Sequence, residues 1–198
     1  MSTIPTLETT FDQPWRLPSR GRVAMLSLII GESAIFTIFV VAYIFYLGKS
    51  ISGPTPQQVL EIPIVGTICL LSSSFFIWLA ELAIEKNAMK KFMLWWSVTI
   101  ALGAFFLVDT AIEWHKLIYE DGLTISTNLF GTTFYSLVGL HATHVLLGLI
   151  MLSLVLVFTL TGHVNEHHAE RIQVLGLYWH FVDAVWVVVF TVVYLLGR

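Results

Sequence analysis

The sequence predicts an all-α integral membrane protein, a bundle of five transmembrane helices. Hydrophobic residues make up 57% of its 198 residues and charged residues only 12%, too few to cover a soluble domain. Polar loops separate five apolar stretches, each long enough to cross a bilayer as a helix. The only cysteine, Cys69, lies inside one of these stretches, so a disulfide framework is excluded. The basic residues are scattered, and we therefore expect no nucleic-acid partner.

Residues 1–21 are polar and contain three prolines, which predicts a cytoplasmic tail without regular structure. Residues 22–198 then form a single five-helix transmembrane domain. Its first span covers about residues 22–47, and after Arg22 at its start it carries one charge, Glu32. At about 1.5 Å per residue, Glu32 lies roughly 15 Å from the start of that span, near the bilayer centre.

A loop with glycine and prolines separates the first span from the second, which covers about residues 61–84. A short lysine-rich turn leads to the third span, about residues 92–117. Charge is absent from the beginning of the third span, and Asp109 and Glu113 follow at i, i+4 spacing. We expect these two acids near the far interface, in a polar cluster with Lys116.

The fourth segment, about residues 129–161, is longer than one membrane thickness and predicts a tilted or protruding helix. His141 and His144 lie three residues apart in it and project from one face. After a His- and Glu-rich loop, the fifth span covers about residues 172–197.

The distribution of lysine and arginine predicts a cytoplasmic N-terminus and a periplasmic C-terminus, because cytoplasmic loops carry more of both. Five spans place the termini on opposite sides. The side with the N-terminus holds Arg16, Arg20, Arg22, Lys86, Lys90, Lys91 and Arg171, whereas the other holds Lys49, Lys116 and Arg198.

Glu32 is the most costly residue of the chain to place in a membrane. An acidic side chain at a helix centre costs about 2.5 to 3.5 kcal/mol on insertion scales, so it needs a polar partner. It either takes up and relays protons or serves as a protonated carboxyl that hydrogen-bonds within the bundle.

His180 and Asp183 lie three residues apart in the last span, which is otherwise apolar. Such a pair indicates a metal ligand, a proton relay or a hydrogen-bonded contact between helices. One haem could be held by His144 and His180 from two helices; alternatively, neutral histidines bond to acids across the bundle. No Glu-x-x-His or His-Glu-x-x-His pattern is present, so we expect no metal site of that kind.

With these residues identified, all five spans of the chain resemble subunit III of the haem-copper terminal oxidases, in its short five-helix bacterial form. The resemblance rests on five motifs, which contain the polar residues above: GESAIF, LEIPIVGT, DTAIEW, TTFYSLVGLHATHVLLG and LYWHFVDAVW. Each motif is weak alone, but together they are highly specific.

This resemblance implies a non-catalytic subunit of a proton-pumping oxygen reductase, cytochrome c oxidase, in the aerobic respiratory chain of a bacterial inner membrane. Haems and copper would belong to partner subunits, and the chain itself would carry no cofactor and no catalytic residue. It would contact subunit I directly, lie in one complex with subunit II, bind phospholipid, stabilise subunit I and support proton uptake. By position, the family's intramembrane polar residues would be Glu32, Glu113, His141, His144, His180 and Asp183.

Two other functions remain open. The chain is alternatively subunit III of a quinol oxidase, or an accessory protein of a nitric oxide reductase, because the sequence does not reveal the electron donor. The other possibility is an independent membrane cytochrome with its own haem.

Overall fold

The computed structural model describes residues 19–197 and contains five helices that are long and apolar enough to cross a membrane. The described residues form no β-strand. The predicted all-α bundle with five spanning helices is therefore confirmed. Most of the predicted tail lies outside the described residues.

The spanning helices are joined by short connections, one of which contains a single-turn helix. The bounds in chain order are α1 Arg20–Tyr46, the short α2 Pro56–Val59, α3 Ile64–Glu85, α4 Met89–Tyr119, α5 Leu129–Leu160 and α6 Ala169–Phe190. A 3₁₀ turn at Glu166–His168 precedes α6, and a π-helical turn at Thr191–Leu196 continues it. With this turn, α6 spans Ala169–Leu196.

Local sequence explains where several helices begin. The Ser19 side chain accepts a hydrogen bond from the Arg22 backbone N–H and so caps α1. The Asn128 side chain caps α5 in the same way, by accepting from the Gly131 N–H at 2.8 Å. Pro63 stands directly before α3, which begins three residues later than the predicted second span because a residue before proline disfavours helix.

The α6 helix lies in the centre of the bundle. It packs against α1, α3 and α5, while α4 covers α3 and α5 from the other side. Among the five spanning helices, α6 is the most buried and α1 the least.

Trp179 is a large buried contact between α6 and its neighbours. Its side chain is fully buried, and its indole N–H donates to the Ser73 hydroxyl of α3 at 2.7 Å. A Cβ atom at Gly103 of α4 would lie 2.7 Å from this indole, and one at Gly148 of α5 would lie 2.8 Å from it. A side chain at either position would collide with the indole. The two glycines therefore form the slot that Trp179 fills. Trp186, fully buried two turns further along, extends the same aromatic core.

Candidate functional site

Glu32 of α1 pairs with His144 of α5 inside the membrane-spanning part of the bundle. One carboxyl oxygen, Oε2, lies 3.1 Å from His144 Nε2. The other ring nitrogen, Nδ1, lies 2.8 Å from the backbone carbonyl of Leu140. Phe36 covers the imidazole, with ring centroids 5.0 Å apart. The Glu32 side chain is 23% exposed, compared with 11% for His144, so the carboxyl lies towards the outside of the bundle.

These contacts determine how many protons the pair holds. Because a carbonyl oxygen only accepts, the Leu140 contact places a hydrogen on His144 Nδ1. The contact between Nε2 and Glu32 then requires one further proton, on the nitrogen or on the carboxyl. The first arrangement is an ion pair and the second is neutral, so the net charge is zero in both. The two groups can thus share one proton without a net buried charge.

His141 is not part of this pair, although it lies one turn away on α5. Its ring is fully buried and stacks on Trp186, with centroids 5.0 Å apart. The Phe106 ring packs against it nearly at a right angle, with ring centroids 5.9 Å apart. Neither ring nitrogen has a hydrogen-bond partner among residues 19–197. The two histidines of α5 therefore differ: His144 binds an acid, whereas His141 lies among aromatic rings.

His180 and Asp183 of α6 are joined through a third residue, Ser74 of α3. The Ser74 hydroxyl donates to Asp183 Oδ2, and His180 Nδ1 lies 3.1 Å from the same hydroxyl. Asp183 is buried, and its Oδ1 has no hydrogen-bond partner in the described part of the chain. The three side chains thus form a continuous hydrogen-bonded chain between α6 and α3.

Glu113 of α4 binds the π-helical turn after α6. The Tyr194 hydroxyl, which is fully buried, lies 3.0 and 3.1 Å from the two carboxyl oxygens of Glu113. A π turn contains one more residue per turn than an α-helix and so changes the direction in which its side chains project. The turn therefore places Tyr194 opposite an acid of α4.

The polar cluster that we expected around Asp109, Glu113 and Lys116 differs in its pairing. All three residues line a cavity of about 240 Å³ together with Glu61. Lys116, however, forms its ion pair with Glu61, which precedes α3, rather than with either acid of α4. The cluster consequently ties α4 to the segment before α3.

His144 and His180 were considered as haem ligands, and the structure pairs them with residues of two different helices. His144 contacts Glu32 of α1, whereas His180 contacts Ser74 of α3. Within residues 19–197, no three residues of the types His, Cys, Asp and Glu form a group that could hold a metal ion. In this geometry, His144 and His180 make two separate contacts.

Sequence reasoning missed Ser74 and Tyr194 as members of these polar contacts. A run of three serines at residues 72–74 inside an apolar span was the available signal for the first. Tyr194 gave no such signal, because a tyrosine near the end of a span is typical of the membrane interface.

The fold and its internal polar pairs define an integral membrane protein that places ionisable side chains within a helical bundle. A family model described as cytochrome c oxidase subunit III matches residues 20–198. The chain therefore belongs to the cytochrome c oxidase subunit III family, as its sequence motifs indicated.

Similarity to individual relatives extends over most of both chains. The chain is 38% identical to cytochrome c oxidase subunit 3 of Alkalihalophilus pseudofirmus, over 84% of its own length and 82% of the relative's. It is 32% identical to the protein of the same name in Bacillus subtilis, over 97% and 95% of the two lengths. Cytochrome bo(3) ubiquinol oxidase subunit 3 of Pseudomonas aeruginosa is 34% identical, over 85% and 81%.

Proposed function

We propose that this chain is the third subunit of a proton-pumping oxygen reductase that oxidises cytochrome c. Relatives named cytochrome c oxidase subunit 3 match it at 32 to 38% identity over at least 84% of its length. In this role the chain holds no haem or copper and stabilises subunit I by direct contact, with subunit II in the same complex. It lies in the bacterial inner membrane with bound phospholipid, its N-terminus cytoplasmic and its C-terminus periplasmic.

The Glu32–His144 pair carries the proposal that this subunit supports proton uptake. The pair holds one proton at zero net charge, and moving that proton between oxygen and nitrogen requires no rearrangement of the helices. Its carboxyl lies on α1, the least buried spanning helix, where it is 23% exposed. The carboxyl thus lies at the surface of the bundle, where a group of subunit I can exchange a proton with it.

Glu32→Gln tests this role. The glutamine N–H₂ donates to Nε2 of neutral His144 and preserves the contact, but it cannot release a proton. We expect a normally assembled oxidase whose proton uptake is slower, or whose activity is lost sooner, during sustained turnover. Glu120→Gln, the same change at an exposed position after α4, is the matched control. Proton uptake and inactivation kinetics equal to those of the control would refute the role.

A second candidate is the subunit III of a quinol oxidase, which two further relatives favour. These are the Pseudomonas aeruginosa protein above and quinol oxidase subunit 3 of Bacillus subtilis, the latter 30% identical over 89% of the chain. Affinity purification of the tagged chain separates the two candidates. A subunit II with a copper centre among the co-purified proteins supports the cytochrome c enzyme, and a subunit II without copper supports the quinol enzyme.

A further inference from the structure

An open cavity lies between α1, α3 and α6, near the ends where α1 and α6 begin. Its volume is about 380 Å³, and its lining consists of Arg22, Glu81, Gln173, Leu177 and His180. Four of these five residues are polar, in helices that are otherwise apolar. Polar side chains at membrane depth lie against water or polar partners, and a cavity of this size holds several water molecules.

Hydrogen bonds organise the outer part of this cavity. Arg22 Nη2 donates to the side-chain oxygen of Gln173 at 2.7 Å, and the Gln173 amide donates to Glu85 of α3. The three residues join the beginnings of α1 and α6 to the end of α3. Water that enters the cavity therefore meets both a cation and an acid.

Glu81 reaches the cavity because α6 has a glycine opposite it. A Cβ atom at Gly176 would overlap Glu81 Oε1, so a larger residue would displace the carboxyl. Glu81 is half-buried and lines the cavity together with His180. An acid thus lies along the path from the outer end of the cavity to His180.

His180 connects this cavity to the buried acid. Its ring lines the cavity, while its Nδ1 contacts Ser74, whose hydroxyl donates to Asp183. Asp183 is 4% exposed and is not one of the residues that line the cavity. Arg22 and Glu81 are the charged residues of the cavity lining, and Glu85 lies next to it through Gln173. On the α5 side, His144 contacts Glu32.

Ser74 can pass a proton between the two residues because a hydroxyl both donates and accepts. When Asp183 is protonated, it donates to Ser74 Oγ and the Ser74 hydrogen points to Nδ1 of neutral His180. A shift of both hydrogens leaves a carboxylate at Asp183, an unchanged hydroxyl at Ser74 and an imidazolium at His180. Nε2 of that imidazolium then releases a proton to water. The net change is transfer of one proton from Asp183 to water, with the His180 hydrogen moved from Nε2 to Nδ1. Every step is reversible, and the reverse sequence returns a proton from water to Asp183.

We propose that Asp183 exchanges its proton with water in this cavity through Ser74 and His180. This gives the subunit a second proton-exchanging acid, on a different pair of helices from Glu32. The inference goes beyond the role of the Glu32–His144 pair. It holds or fails independently, because exchange at Asp183 requires no turnover of the oxidase.

The first experiment tests whether the cavity contains water. Leu177→Cys, in a Cys69→Ser background, places a thiol on the cavity wall of the intact complex. The control is Leu28→Cys, on an exposed apolar surface of α1. Leu28 and Leu177 each lie eight residues after the start of their helix, so the two thiols are at similar positions along it. We expect a membrane-impermeant maleimide to label the thiol in the Leu177→Cys variant much faster, measured by mass spectrometry of the labelled peptide. Equal labelling of the two variants would overturn the proposal.

The second experiment follows the Asp183 proton itself. Infrared spectra of the complex, compared with the Asp183→Asn variant, identify the carboxylic C=O stretch of Asp183, which shifts after transfer to D₂O. We expect rapid exchange in the unmodified complex and in the control Ser72→Ala, the same change on the same helix outside the hydrogen-bonded chain. Ser74→Ala should slow the exchange by about tenfold or more, which corresponds to about 1.4 kcal/mol in the barrier.

A further variant, His180→Gln, covers the case in which Ser74→Ala fails to assemble. The glutamine amide can still bond to Ser74, but it does not carry a proton from one atom to another, so exchange should again be slower. Equal exchange rates in all variants, or no exchangeable Asp183 band in the unmodified complex, would overturn the proposal.

Discussion

The α1 and α6 helices each place one acid at membrane depth, but in opposite settings. Asp183 of α6 is 4% exposed and accepts a hydrogen bond from Ser74 in the centre of the bundle. Glu32 of α1 has a side chain that is 23% exposed, and a single histidine contacts it. Asp183 is therefore part of the packing between helices, whereas Glu32 lies at the edge of that packing. The burial of an acid, more than its presence, determines how much of the bundle depends on it.

The largest expected effect concerns Trp179, which fills the slot between α3, α4 and α5. Trp179→Ala leaves a void that its neighbours cannot close, and a substitution of this kind costs about 3 to 5 kcal/mol. We expect a large loss of assembled complex, measured by its yield from membranes. The control on α1 is Phe45→Ala, because Phe45 is 60% exposed. Equal yields for both variants would contradict the central role of α6.

A smaller loss is expected for Asp183→Ala. Removing the carboxyl breaks the hydrogen bond that Ser74 donates to Asp183 and so loosens the contact between α3 and α6, at a cost of about 1 to 3 kcal/mol. We expect reduced assembly and a lower Tm of the complex, while Glu32→Gln retains both. An Asp183→Ala complex with unchanged yield and Tm would show that the two acids do not differ as their burial indicates.

The smallest effect is expected at the far end of α6. Tyr194→Phe removes the hydroxyl that binds both carboxyl oxygens of Glu113, and one hydrogen bond contributes about 0.5 to 1.5 kcal/mol. Tyr46→Phe, at the end of α1, is the matched control because that side chain is 38% exposed. We expect a decrease in Tm for the first variant only, and a similar decrease for the second would remove the contrast between the helices.

Apolar runs predicted the five helices, because the length of each run and the helix rise decide whether a segment can cross a bilayer. The partners of the polar residues could not be predicted in the same way. Ser74 lies more than a hundred positions from Asp183 in the chain, and which side chains meet depends on how each helix is rotated. The pairing of Lys116 with Glu61 illustrates the same limit, because spacing within α4 suggested neighbours on its own helix.

The π-helical turn was also beyond sequence reasoning. Its residues, TVVYLL, have the composition of an ordinary membrane helix. The turn is stabilised by tertiary contacts, including that between Tyr194 and Glu113, and such contacts exist only in the folded bundle. By contrast, the caps at Ser19 and Asn128 arise from residues next to the helices they begin.

The position of α6 also determines the order in which the protein can be completed. This helix is synthesised after α1 to α5, yet its Trp179 occupies the slot bounded by Gly103 and Gly148. The earlier helices must therefore enter the membrane and remain far enough apart to admit a later one. Until translation reaches α6, the nascent bundle is open along its middle, and the membrane insertion machinery or lipid has to occupy that space.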